Sequence, residues 1–255
     1  MTLFDEIRRV VEEGGRAVVF TVIAGPETGA KLLVREDGSI AGSGPAELAQ
    51  LAPDALRRGR SHVLEHEGRT IFADVLGPPP RLLVIGAVDT AEALCQAAKL
   101  LGWTTIVADA RAAFATRERL PSADEILVAW PDEALERVQP DAGTAIVVLT
   151  HDDKFDLPAL TGALASDAFY IGALGSRRNQ ERRRERLLEE GVSPADLDRI
   201  AGPCGLDIGA ESPAETALSI LAEILAVRAG RAGGPLKEAR SRIHPEPEEA
   251  ASGKK

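Results

Sequence analysis

Apolar and polar residues along this chain follow two different rhythms, and the change comes at "GPPPR" near residue 78. Before it, "LFDEIRRVVEE" repeats apolar residues at helical spacing. Leu3, Ile7, Val10 and Val11 fall on one face of a helix predicted over residues 3–13. "AVVFTVIAG", "AKLLVREDGSIAG" and "TIFADVLG" then read as strands, with Asp-Gly in "REDGSI" as a hairpin turn. "SHVLEHEGRTIFADVL" alternates around a Glu-Gly turn, which makes His62 and His66 exposed strand residues rather than a helical pair. Consecutive prolines favour extended backbone, so residues 78–81 read as a stiff linker.

After the linker, short and wholly apolar runs alternate with helical patterns: "LLVIGA", "TTIVAD", "EILVAW", "TAIVVLTH" and "AFYIGALGS". Such strands, joined by crossovers, imply a parallel sheet covered on both faces. The predicted fold class is α/β. A Rossmann-like parallel-sheet domain spans residues 82–230 and follows a small α+β domain over residues 1–77. A last helix, "PAETALSILAEILAVRAG", puts Ala217, Ile220, Leu221 and Ile224 on one face, behind a Ser212–Glu215 capping box. Residues 231–255, rich in Gly, Pro and charge, read as a flexible tail.

Composition narrows the function. A net charge of −10 argues against a nucleic-acid or membrane-surface binder, since phosphates need a positive field. There is no uninterrupted apolar run of about 18 residues to span a membrane. The amphipathic start does not resemble a secretion signal, so the cytoplasm is the expected location. Two distant cysteines, Cys95 and Cys204, make neither a disulfide framework nor a metal cluster, and the four histidines have no zinc-ligand spacing.

Ligands of such sheets bind beyond the carboxyl ends of the strands, so the loops there carry the candidates. The first would hold G-x-G-x-x-G in a dinucleotide site, but it reads Gly86-Ala87-Val88-Asp89-Thr90-Ala91. Gly86 can make the turn, whereas Val88 puts a side chain where a pyrophosphate would approach. Asp89 or Thr90 reads as the cap of the next helix, and Asp89 also faces the cleft. Asp109, about 20 residues on, stands where a ribose-binding acid would lie. In "LTHDDKFDLPAL", His151 is a candidate general acid/base and Lys154 an anion holder beside Asp152, with Asp156 capping the next helix. In "GSRRNQERRRERL", Ser176 caps a helix and Arg177 and Arg178 occupy its first turn, where the dipole disfavours cations unless an anion sits there. The later arginines, from Arg182 to Arg186, read as a solvated face with i,i+4 pairs to glutamates. In "PCGLDIGAES", Gly205 and Gly209 flank Asp207. Cys204 beside a helix N-terminus is a candidate for a lowered pKa, whereas Cys95 reads as core.

Three of these stretches together, "LTHDDKFDLPAL", "YIGALGSRRNQERRRERL" and "PCGLDIGAESPAETALSILAEI", resemble the Rossmann domain of the XdhC/CoxI family. "GAKLLVREDGSIAGS" is more loosely similar to that family's first domain, and the likeness covers most of residues 15–228. The resemblance implies a typically dimeric accessory protein. It would bind molybdenum cofactor (a molybdopterin, with or without a nucleotide) and help deliver it to a molybdenum hydroxylase apoenzyme. Carried over by position, the cofactor-handling residues are His151, Asp152, Gly175 to Arg178, and Cys204 to Gly209, with Cys204 a candidate metal or sulfur contact. Gly86, Asp89 and Asp109 complete the candidate set. The chain departs from the family where Gly-Ala-Gly-His becomes Gly86-Ala87-Val88-Asp89. It departs again where Ser-Gly-Gly-Cys-Val-Glu becomes Ser43-Gly44-Pro45-Ala46-Glu47. These departures imply a divergent branch, with a client of the xanthine dehydrogenase or carbon monoxide dehydrogenase type. Two other readings stand beside this one: an NAD(P)-dependent oxidoreductase, and an interaction protein with an empty Rossmann fold.

Overall fold

A computed structural model describes residues 2–239 and the backbone of residues 248–249. The chain divides into two compact units, Met1–Pro78 with Gly234–Lys255, and Pro79–Gly233. Of the expected tail, residues 240–247 and 250–255 lie outside the described residues, while Leu236–Glu238 form a single 3-10 turn.

The first unit is built on an antiparallel sheet. Its strands are β1 (Ala17–Ala24), β2 (Lys31–Arg35), β3 (Ile40–Gly42), β4 (His62–His66) and β5 (Arg69–Leu76). They lie in the order β4-β5-β1-β2-β3, and a two-residue strand, Glu248–Glu249, runs parallel to β4. β1 is apolar on both faces because both are covered. Val18, Phe20 and Val22 pack with Leu48 and with Ala52, Ala55 and Leu56 of α2 (Ala52–Arg58). Ala17 and Val19 pack with Val10 of α1 (Leu3–Glu12). Two details differ from the pattern reading. Val11 is exposed, because positions 3, 7 and 10 already complete the inward stripe of α1. His66 is buried rather than exposed, because it shares the inward face of β4 with Leu64, and its Nε2 lies 3.4 Å from Gln50.

The second unit is a parallel sheet of β6 (Arg81–Ile85), β7 (Thr104–Ala108), β8 (Glu125–Leu127), β9 (Thr144–Val148), β10 (Tyr170–Ala173) and β11 (Ile200–Ala201). The order is β11-β10-β9-β6-β7-β8. Alternate residues feed two cores. Leu82 and Val84 of β6 pack towards α3 (Asp89–Lys99) and α8 (Pro213–Arg228). Leu83 and Ile85 pack towards α4 (Pro131–Val138), α5 (Asp153–Leu164) and α6 (Arg177–Glu189). Ala217, Ile220, Leu221 and Ile224 are all buried in α8, whose Ser212–Glu215 capping box is formed. Pattern reading missed α4 and the short α7 (Pro194–Leu197), as well as β11, which has only two residues. Among the described residues, no helix is long and apolar enough to cross a membrane.

The strand order reverses direction between β6 and β9, and Gly86 sits at that point. Its φ is 111°, and a Cβ there would lie 2.9 Å from Thr150 Cγ2 in the loop after β9. Gly86→Ala should therefore destabilise this unit by about 1–3 kcal/mol from backbone strain and the clash. A urea unfolding midpoint indistinguishable from wild type would show that the turn relaxes freely.

Candidate functional site

The crevice of a doubly wound sheet opens at the carboxyl edge where the strand order reverses, here between β6 and β9. In a dinucleotide site the first turn aims free amides at a pyrophosphate. Here the Ala87 amide donates inward to Asp109 Oδ2 at 2.9 Å, and the Val88 amide to Gly86 O at 3.1 Å. Val88 holds the N-cap position of α3 and makes no side-chain cap, so the expected cap by Asp89 is not formed. Asp89 is instead the first helical residue, and its exposed carboxylate pairs with Arg119 at 3.3 Å. Its benefit to α3 is negative charge near the positive end of the dipole.

Asp109 is buried at the end of β7 and accepts four hydrogen bonds. They come from the Ala87 amide and the Arg111 amide (both 2.9 Å), from Arg111 Nε (2.9 Å) and from Arg111 Nη2 (2.7 Å). A carboxylate has about four lone-pair positions, so none remains for a ribose hydroxyl. The role expected of Asp109 as a ribose-binding acid is thus taken over by the chain's own donors. Burial works to raise the carboxyl's pKa, but the Arg111 guanidinium and the two amides outweigh it and hold the group below the ordinary carboxylate value.

The loops after β9 and β10 are held by a different device. Arg183, at position seven of α6, is 2% exposed rather than on a solvated face. Its Nε and Nη2 reach Asp156 Oδ2 at 2.7 and 2.6 Å. Nη1 donates to Leu174 O at 2.8 Å and Nη2 to Thr150 O at 3.0 Å. Thr150 Oγ1 donates to the other oxygen of Asp156. One guanidinium thus ties the ends of β9 and β10 to α5. Burial pushes the Asp156 carboxyl up from its ordinary value, against the pull of Thr150 and Arg183. Asp156 is therefore no helix cap. Asp152 caps α5 instead, accepting from the Lys154 amide at 3.2 Å, and His151 before it is exposed.

Ser176 does cap α6, accepting from the Asn179 amide at 3.3 Å, after Gly175 at φ 143°. Arg177 and Arg178 open the helix, both exposed, and neither pairs with a carboxylate among the described residues. The remaining arginines pair across elements rather than along the helix. Arg182 and Arg186 reach Asp153 at 3.3 and 3.2 Å, and Arg184 reaches Asp198 at 3.0 Å.

The last loop brings a correction. Cys204 is buried, its amide donates to Ala173 O at 3.1 Å, and burial pushes its thiol up to about 12 rather than down. The Gly205 amide donates to Glu223 Oε2 at 2.8 Å, and the Tyr170 hydroxyl donates to the same oxygen. A Cβ on Gly205 would lie 2.4 Å from Ser219 Oγ, so only glycine fits there. Asp207 and Gly209 are exposed beyond it. Cys95 is core, and burial likewise raises its thiol to about 12.

A parallel sheet with a reversed strand order, an inwardly closed first turn and a cation pair opening the helix after β10 together define a Rossmann-like protein. The chain belongs to the XdhC family: residues 82–224 match the model of the XdhC Rossmann domain. It is 31% identical over 262 residues to the uncharacterized protein YqeB of Escherichia coli (strain K12), covering 92% of this chain and 48% of that protein. It is 35% identical over 158 residues to a probable xanthine dehydrogenase subunit of Bacillus subtilis (strain 168), covering 62% and 46%. Over 90 residues it is 40% identical to the molybdenum cofactor insertion chaperone PaoD of Escherichia coli (strain K12), covering 35% and 28%. The chain thus spans less than half the length of each of these relatives. In fold, it is similar to a crystal structure described as a xanthine dehydrogenase from Bacillus halodurans, with a TM-score of 0.55 at 21% identity, covering 94% of this chain and 98% of that one.

Two measurements check this geometry. Removing one partner of a buried ion pair costs about 3–5 kcal/mol. Asp156→Ala should lower stability by that order, and Asp156→Leu combined with Arg183→Met should recover most of it; a double variant as unstable as the single one would refute the charge-pair account. Asp109, with its pKa lowered in the fold, adds stability that is present above the unfolded value of about 4 and lost as pH falls through the folded value. The stability gap between wild type and Asp109→Asn should therefore narrow as the pH drops below about 4, and a gap of constant size would argue against an ionised clamp.

Proposed function

We propose that the chain is an accessory factor that holds molybdenum cofactor by its phosphate. It would assist the cofactor's maturation or insertion into a molybdenum hydroxylase of the xanthine dehydrogenase or carbon monoxide dehydrogenase type. The observation that carries this reading is the start of α6, where exposed Arg177 and Arg178 follow a Ser176 cap without a carboxylate partner among the described residues. Cations there oppose the helix dipole, and a phosphate between them and the helix end removes the conflict. A molybdopterin offers one such phosphate, and the closed first turn, with Val88 and Asp109 engaged inward, suits no pyrophosphate.

The residues fit the cofactor in part. Arg177, Arg178 and the Ser176-capped helix end suit its phosphate, and exposed His151 and Asp152 stand on the loop after the neighbouring strand, tied to this one through Arg183. Cys204 does not suit its metal, because a buried thiol raised to about 12 offers no thiolate to a soft centre. Bound in its client, the cofactor supplies the redox chemistry of the hydroxylase. This chain's residues only bind and orient it. The relative named as an insertion chaperone supports the same reading, as does a family match that covers this loop. The proposal includes action in the cytoplasm, as a homodimer, on an apoenzyme partner.

Expressed beside a molybdenum cofactor pathway, the chain should co-purify with molybdopterin detectable by mass spectrometry. Two charge-assisted contacts are worth about 3 kcal/mol or more, so Arg177→Ala with Arg178→Ala should reduce retention to background. Undiminished retention would overturn the phosphate site. Saturable thermal stabilisation by NADPH would instead favour an oxidoreductase.

A further inference from the structure

The chain has only two tryptophans. Trp103 is buried at 4% exposure, whereas Trp130 is 46% exposed at the carboxyl end of β8. Trp130 is nonetheless held in place. Its amide donates to Glu133 Oε2 at 3.3 Å, and its carbonyl accepts from the Ala134 amide at 2.9 Å. One face of the indole stacks on Phe155, with centroids 5.0 Å apart and planes 28° from parallel. Phe155 is itself buried and lies beside two cations, Arg111 Cζ at 5.7 Å and Lys154 Nζ at 4.9 Å. Nearly half of the residue remains exposed beyond that stack.

We propose that Trp130 is the outer surface of a stacking platform for a planar heteroaromatic ring, a pterin or a nucleobase, on a phosphate-bearing ligand. An exposed indole is an apolar surface whose ordering cost is already met by the fold, and a flat ring laid on it extends the stack that Phe155 begins. Arg111 ties the platform to the ligand edge, because its guanidinium spans Asp109 at the end of β7 and the Phe155 ring. Ligands of this fold run along that edge from the point of strand reversal past the second strand. Here the second strand's acid is closed off, and the next strand along, β8, presents the ring surface. The cation pair at Arg177 and Arg178 lies on the opposite side of the reversal point, after β10. This deepens the cofactor reading and rests on it only for the class of ligand.

The test is calorimetric titration of the full chain with a free pterin and, separately, with nucleoside monophosphates. Saturable binding of either that the Trp130→Leu variant weakens upholds the platform and identifies which ring it takes. Stacking on one aromatic side chain typically changes affinity by about tenfold or more, so Trp130→Leu should weaken binding by that factor, while Trp130→Phe should keep most of it. Because Trp103 is buried, nucleotide binding should also quench the fluorescence of the unaltered chain, a readout that does not depend on a variant folding. No binding of either ring, or equal binding by the Leu variant, overturns the platform. Molybdopterin retention without ring binding sinks the platform and leaves the cofactor reading standing. Trp130-dependent ring binding in a chain that retains no molybdopterin does the reverse.

Discussion

A single buried guanidinium decides where the candidate site can be. Arg183 gives up water to reach Asp156 and the carbonyls of Thr150 and Leu174. Such a burial is tolerable only because every strong contact is satisfied in good geometry. The two carbonyls terminate neighbouring strands. Beyond each, the backbone must leave the sheet, and the guanidinium fixes the direction it takes. His151 and Asp152 follow the first carbonyl, and Gly175 to Arg178 follow the second, so both groups of candidate residues inherit their placement from one side chain. The exposed residues are free to be chosen for a ligand because the buried pair carries the structural duty.

The architecture was largely legible because its signals are periodic. Continuous apolar runs marked the parallel strands, and alternation with turn residues marked the first sheet. What escaped were elements too short for a period to show, such as β11 with two residues. The site was less legible because polar residues carry no period of their own. Gln180, Arg183 and Leu187 share one helical stripe, and Asp156 sits in the stripe of Phe155, Ala159, Leu160 and Ala163. That shared spacing was the available sign that Arg183 and Asp156 point inward. It was masked by the run of charges around Arg183, which reads locally as a solvated face. Cys204 erred for a related reason: its neighbours in sequence suggest an open loop, whereas its burial comes from strands and a helix remote in sequence.

The carboxyl edge therefore has three regions of different character. The centre, where a pyrophosphate would lie in other Rossmann-like proteins, is satisfied internally. To one side stand the exposed arginines of α6, and to the other the half-exposed indole of Trp130. An anion suits the first and an apolar plane the second. A dinucleotide, by contrast, needs the centre.

Arg111 supplies a last consequence. Its guanidinium and amide occupy the acid that ribose hydroxyls occupy in dehydrogenases. The chain's own side chain stands where such a ribose would. A protein whose turn is completed by a diffusible ligand becomes firmer or looser as that ligand's concentration changes. A protein that carries the substitute covalently does not. The geometry of this turn is thereby set by the chain itself rather than by a ligand.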